Sequence, residues 1–424
     1  MTTYLLLLGL MIACFVLLVL LAKLPASLSL VITSIVVALV AGAGFPLDKL
    51  VEGMFGYLDT CLVLITAMVF IKVIEANGML AELTRAVISA FGRSPLLLLV
   101  ALTIIIMFPG MITGSCTASV LGTGALVAPI LMQMGMPLAV AGAVITSASV
   151  FGMIAPPVNI PVMIIGGGID LPYVGFDGIL ALLTFPLAIL TTLYIGYRHV
   201  DRNKLSIVVA ENRKTKEKTG WTIYIPLIVV IVLMIGPKAF PRWFPDLMLP
   251  LTFLIGTLIG IVTGKRFNII KVARQGISDI LPVVGLLFGV GMLIEVMTLT
   301  GMRGGIVVAA LSLPSSLMLV SIALIIPLFG GISVFGAASI LGVPFALALL
   351  GKNQIVVLSA LSLIAAIGSY MPPVALTPVV TAGLIGEPKY GRINRYCALP
   401  AVLTVIIGVV VIIFANPIGK FLGV

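Results

Sequence analysis

Histidine occurs once in these 424 residues, at His199 directly after Arg198, and a single imidazole cannot supply the paired histidine ligands that most zinc hydrolases need. Cysteine is almost as scarce. Cys14, Cys61, Cys116 and Cys397 are scattered without CxxC spacing, so neither a metal site nor a disulfide framework is expected. Charge is the third shortage: 9% of residues are Asp, Glu, Lys or Arg against 61% hydrophobic, and the mean hydropathy is +1.32. Such a composition lies outside the globular range and among polytopic membrane proteins. A P-loop, a nucleophile elbow and an HExxH motif are also missing, so neither enzymatic activity nor a cofactor is expected. The net charge of +10 does not point to nucleic acid, because the cations sit in short segments between apolar runs, as topology determinants do.

What is present is apolar sequence in lengths that suit a bilayer. A helical crossing needs about 18 to 20 apolar residues, and such runs fall at 4–22, 26–44, 57–77, 138–168, 178–197, 222–240, 247–264, 281–300, 354–384 and 398–415. The run at 4–22 has no basic region before it and no small-residue cleavage site after it, so it reads as a retained first helix. Two further regions, 95–134 and 315–351, are too long for one crossing and carry Gly/Ser-rich segments in the middle. Both are read as re-entrant hairpins with the polar segment at the tip. Amphipathic stretches at Pro46–Tyr57 and Phe267–Ile280 read as interfacial braces. Seven Lys and Arg fall between Arg198 and Lys218, which predicts a cytoplasmic loop there and, counting each hairpin as two arms, both termini outside.

The two halves repeat. At a constant spacing of 220 positions, Asp59 matches Asp279, Glu75 matches Glu295, Leu99 and Val100 match Leu319 and Val320, Gly110 matches Gly330, Ser119 matches Ser339 and Gly122 matches Gly342. Beyond the hairpins the spacing becomes 216, pairing Gly152, Pro156, Pro157, Val158 and Gly167 with Gly368, Pro372, Pro373, Val374 and Gly383. An odd number of crossings per half inverts one copy relative to the other. The expected fold is therefore an all-α polytopic membrane protein: a first repeat over 1–200 (hairpin 95–134, broken helix 138–168), a basic linker over 201–220, and a second repeat over 221–424 (hairpin 315–351, broken helix 354–384).

Helix breakers inside hydrocarbon are tolerated where they line a protein-sheltered cavity, and inverted repeats with broken helices form transporter sites in this way. The first tip crowds the hydroxyls of Thr113, Ser115, Thr117 and Ser119 around Gly114, and small residues with hydroxyl and carbonyl oxygens suit a hard cation such as sodium. Tight helix packing alone would account for Gly122 and Gly124 but not for the dense polar tip. Pro156-Pro157 and Pro372-Pro373 stop their helices and free carbonyls that need partners, with Asn159 and Thr377 just beyond them. Thr113, Ser115, Thr117, Asn159, Ser333 and Thr377 are the candidate substrate ligands. A sodium site is expected from Gly114, Ser115, Ser119, Gly152 and Pro156 in the first half and from Gly331, Gly336, Gly368 and Pro372 in the second. Glu75 and Glu295 are read as structural or coupling residues, with Lys72 a possible interfacial partner for Glu75. A channel is disfavoured because hairpins that stop midway suit alternating access better than a continuous pore.

Asn77-Gly78-Met79 with the helix running to Gly92, the Gly114-Ser115 tip, Gly135-Met136-Pro137, Pro156-Pro157 and Met371-Pro372-Pro373-Val374 together resemble the large membrane subunit of tripartite ATP-independent periplasmic transporters, within the ion-transporter superfamily. The resemblance covers nearly the whole chain. It implies an elevator carrying a small organic acid with sodium ions across the inner membrane, together with a small four-helix membrane subunit and a periplasmic substrate-binding protein. The alternative within the superfamily is a self-sufficient carboxylate carrier. Two departures stand out: Thr113-Gly114-Ser115 where the family usually has Ser-Gly-Ser, and Val158-Asn159 where a serine commonly follows the prolines.

Overall fold

The computed structural model describes residues 2–214, 220–239, 247–311 and 314–424, and no strand occurs among the described residues. With no water in hydrocarbon, every backbone amide must be satisfied within the chain, and Leu-, Ile- and Val-rich helices do this segment by segment. Five described helices are long and apolar enough to span a membrane alone, or six counting one bent pair, while nine further apolar helices run from 10 to 17 residues. Two of the five, Pro95–Thr113 and Cys116–Gln133, are the arms of the first hairpin.

One group of helices surrounds Ile269–Leu299, which packs on Ala26–Val40, Leu47–Phe55 and Leu58–Ala76. At its crossing with Leu47–Phe55, Gly53 and Gly291 meet backbone to backbone with no room for a Cβ on either. The other group holds the hairpins and broken helices. The first hairpin packs on Leu138–Ile154, and the second, Ser315–Gly330 with Val334–Ala348, packs on Gln354–Tyr370. The broken helices resume at Ile160–Gly168 and Leu376–Ile385, and Tyr390–Ile413 closes the group. The second arm of each hairpin contains a π-helical turn, Val120–Gly124 in one and Ala338–Gly342 in the other.

Several sequence boundaries move. The brace at Phe267–Ile280 is not separate from the crossing at 281–300, because Ile269–Leu299 is one 31-residue helix running through Pro282. Its counterpart is divided: Leu47–Phe55 and Leu58–Ala76 meet at 45°, around Tyr57, whose hydroxyl donates to Ile164 O at 2.8 Å. At the matching repeat position Ile277 has no hydroxyl to make such a tether, and the helix continues. The last run begins earlier, at Tyr390, and an amphipathic helix, Ala415–Leu422, follows it. The linker is helical over Arg202–Lys214. Lys216 and Lys218 of the predicted basic loop, and Phe240 at the end of the 222–240 run, lie outside the described residues.

The repeat register also changes at the tips. Ser115 Oγ accepts from Ala118 N at 3.3 Å, and Ser333 Oγ accepts from Gly336 N at 3.0 Å, each as the N-cap of its second arm. The second tip is thus two residues shorter, and the spacing beyond it is 218. Ser119 then corresponds to Ala337 rather than Ser339. The glycine matching Gly342 is Gly124 rather than Gly122: Cβ atoms built on Gly124 and Gly342 face Ser119 O and Ala337 O, respectively.

Candidate functional site between the hairpin tips

Each tip is tied to its own break by one backbone hydrogen bond. Val158 N donates to Met111 O at 3.1 Å, and Val374 N donates to Gly331 O at 3.2 Å. Glycine permits the approach. Gly114, at φ +63°, would bring a Cβ to 2.5 Å from Ile160, and a Cβ on Gly331 would lie 2.5 Å from Pro372 O. Behind the tips the arms and broken helices touch through glycine again: a Cβ on Gly152 would sit 2.6 Å from Met107 O, and one on Gly368 would collide with the Gly330 backbone. Both Pro156-Pro157 and Pro372-Pro373 bonds are cis.

Between the tips lies a cavity of about 270 Å³. Its walls are Ser115 and Thr117 from the first tip, Gly331 and Ser333 from the second, Gly368 and Ser369 before the second break, and Ser27 with Pro282 from the other helix group. No charged side chain among the described residues lines it. The second arm of each hairpin starts at this cavity, so two helix N-termini with their partial positive charge face it.

The cavity therefore gathers Ser115, Thr117, Gly331, Ser333 and Gly368 from the predicted set. The other predicted residues do not line it. Thr113 Oγ1 donates to Pro109 O at 2.7 Å and accepts from Ser115 N at 3.3 Å, which shapes the tip. Gly114 packs on Ile160, Gly152 packs on Met107, and Gly336 faces Phe15. Ser119 joins the two arms of its hairpin, its Oγ accepting from Gly110 N at 2.8 Å, and Thr123 Oγ1 adds a bond to Ile106 O at 3.2 Å. Asn159 spans the first break: Nδ2 donates to Ile154 O at 2.8 Å and to Ser362 Oγ at 3.1 Å, and Oδ1 accepts from Val162 N at 3.0 Å. Pro156 and Pro372 form the turns. Thr377 is fully buried and its Oγ1 has no hydrogen-bond partner.

Ser369 was not singled out in the sequence, yet it is 3% exposed, lines the cavity and has an Oγ without a partner. Its signal was its place, directly after Gly368 and three residues before the paired prolines. Thr146 Oγ1 and Ser149 Oγ are also buried without partners, on Leu138–Ile154, which packs against the Thr377 half-helix. Buried hydroxyls without partners are uncommon because each forfeits hydration for nothing. Glu75 has a partner: Lys72 Nζ lies 3.4 Å from it and 3.1 Å from Asp279, joining two helices of the Ile269–Leu299 group.

At the far end of the first broken helix, Tyr57 connects it to the Ile269–Leu299 group and Arg303 connects it to the helix Met302–Leu311. Tyr57 reaches Ile164 O, and the Arg303 guanidinium donates to Gly168 O at 2.6 Å and to Asp170 Oδ2 at 3.1 Å.

The fold is similar to that of the Alcanivorax borkumensis YdaH transporter, with 15% identity and a TM-score of 0.60 over 86% of this chain and 87% of that one. It is equally similar to Neisseria gonorrhoeae MtrF, described within a class of antimetabolite efflux pumps, with 14% identity and a TM-score of 0.59 over 87% and 83% of the two chains. No curated protein matches the sequence. Both likenesses are of fold; the class comes from the sequence, which matches a family of membrane transporters, not enzymes. Residues 12–418 match the family described as tripartite ATP-independent periplasmic transporter, DctM component, and the chain belongs to that family of large membrane components.

Proposed function

We propose that the chain carries a small organic acid across the inner membrane together with sodium ions, by an elevator motion of the hairpin group against the Ile269–Leu299 group. It works as the large subunit beside a small four-helix membrane subunit and a periplasmic binding protein, with its basic linker in the cytoplasm and both termini outside. The observation that carries this reading is the uncharged cavity between the tips, bordered by Ser369, whose hydroxyl is buried and unpartnered. Sodium ions would satisfy such oxygens and bring positive charge to a site that has no Lys or Arg. A carboxylate would then meet hydroxyls, helix N-termini and the bound cation. Its affinity rises with sodium, and by reciprocity sodium affinity rises with the acid.

The test is uptake into proteoliposomes containing the chain with its small subunit, with a binding protein supplied, across a panel of organic acids. Uptake that requires an inward sodium gradient supports the reading. Equal uptake without sodium, or transport restricted to neutral or cationic solutes, contradicts it.

A further inference from the structure

At the basic end of the molecule an open cleft of about 750 Å³ separates the linker helix Arg202–Lys214 from the turn that leads into the first hairpin. Its polar wall carries Arg93, Ser94, Arg202 and Ser206, and its floor is formed in part by Leu205 and Val209. Among the described residues no acidic side chain lines it. Both arginines are exposed, and neither makes an ion pair among the described residues. Asp201, beside Arg202 in sequence, is engaged elsewhere: its Oδ1 accepts from Asn203 N at 2.9 Å and caps the linker helix. The cleft is held open at its base, where the linker helix bears on Gly92 through Val209 and leaves no room for a Cβ there. Immediately beyond it, Leu96 and Leu97 are 43% and 49% exposed on the outer face of the hairpin arm.

Two guanidinium groups without an ion-pair partner, over a cleft whose described lining carries no acid, call for an anion with several oxygens, and arginine forks match a phosphate in particular. The apolar surface beside them decides the source. A soluble phosphate would have no use for Leu96 and Leu97, whereas a phospholipid would lay its acyl chains along them and its headgroup between the arginines. We propose that this cleft is a binding site for the phosphate headgroup of an anionic phospholipid, clasped by Arg93 and Arg202 and docking the linker helix to the membrane surface. The site is separate from the cavity between the tips and does not depend on what that cavity carries.

The experiment measures binding of phosphatidylglycerol and of phosphatidylcholine to the full-length purified chain by native mass spectrometry, with inorganic phosphate as competitor. The expected result is retention of phosphatidylglycerol over phosphatidylcholine, with affinity falling about tenfold in Arg93→Gln and in Arg202→Gln. Arg198→Gln, outside the cleft, should change it less than twofold, and Ala210→Glu, which puts an acid into the cleft wall, should lower it as the arginine variants do. Thermal melting of each variant in lipid-free detergent checks that the fold survives, and Ala210→Glu provides the test should an arginine variant fail to fold. Equal retention of the two lipids, an equal loss in Arg198→Gln, or full displacement by millimolar inorganic phosphate would each overturn the proposal.

Discussion

The two breaks occupy matching places in the repeat, yet they satisfy their polar groups by different means. In the first, Asn159 alone makes three hydrogen bonds, to Ile154 O, Ser362 Oγ and Val162 N, while Ser119 and Thr123 join the arms of the adjoining hairpin. In the second, the residue matching Asn159 is Ala375, at φ +44°, and those matching Ser119 and Thr123 are Ala337 and Leu341. None of these three can make the bonds of its counterpart. Near this second break Ser369 Oγ and Thr377 Oγ1 are buried and unpartnered, and the cavity opens against it. At the first turn itself Asn159 satisfies the freed groups, whereas at the second turn no side chain takes that part and the cavity borders the unpartnered Ser369 hydroxyl.

The largest effects should ignore this difference, because both halves rely on glycine where backbone meets backbone. Gly152→Ala and Gly368→Ala should each cost about 2 to 3 kcal/mol by forcing a hairpin arm away from its broken helix, read as a large fall in melting temperature in detergent. Asn159→Ala should cost a similar amount, about 2 to 3 kcal/mol, since it removes an N-cap and leaves the buried Ile154 carbonyl without that donor. If Asn159→Ala melted like the unaltered chain, the first break would not be held by its own side chain and the contrast would fail.

Tyr57→Phe removes one buried hydrogen bond between the helix groups and should cost about 1 kcal/mol. On the elevator reading it should also shift the hairpin group relative to its neighbours, measurable as a changed distance between spin labels at Leu58 and Val174. Smallest in stability, and sharpest for the comparison, are Ser369→Ala and Thr377→Val. Removing an unpartnered hydroxyl should leave melting within about 0.5 kcal/mol while sodium-dependent uptake falls at least tenfold.

Much of this arrangement was readable from the sequence because hydrocarbon exaggerates the signal. Thr113 to Ser119 and the paired prolines stand out in runs that are otherwise Leu, Ile, Val and Ala, and the structure places hairpin tips and breaks there. The register inside the second tip was not readable. Its two missing residues fall where no hydrophobic period exists to reveal a slip, so Ser119 and Ser339 appeared equivalent until the caps at Ser115 and Ser333 fixed the alignment. The roles of individual hydroxyls were hidden as well, since a serine that joins two arms and a serine that faces a cavity have the same local sequence. Ser119 proved to be the first kind and Ser369 the second. The continuity of Ile269–Leu299 depended on something remote from it, the absence at Ile277 of the tether that Tyr57 makes to Ile164, 107 residues away in sequence.

The most direct measurement is sodium binding by calorimetry to the purified chain and to the Ser369→Ala/Thr377→Val double variant, with melting followed in sodium-free buffer. The expected result is equal melting of the two without sodium and at least tenfold weaker sodium binding by the double variant. Wild-type sodium affinity in a folded double variant would contradict the assignment of the second break as the part of the site that a bound ion completes.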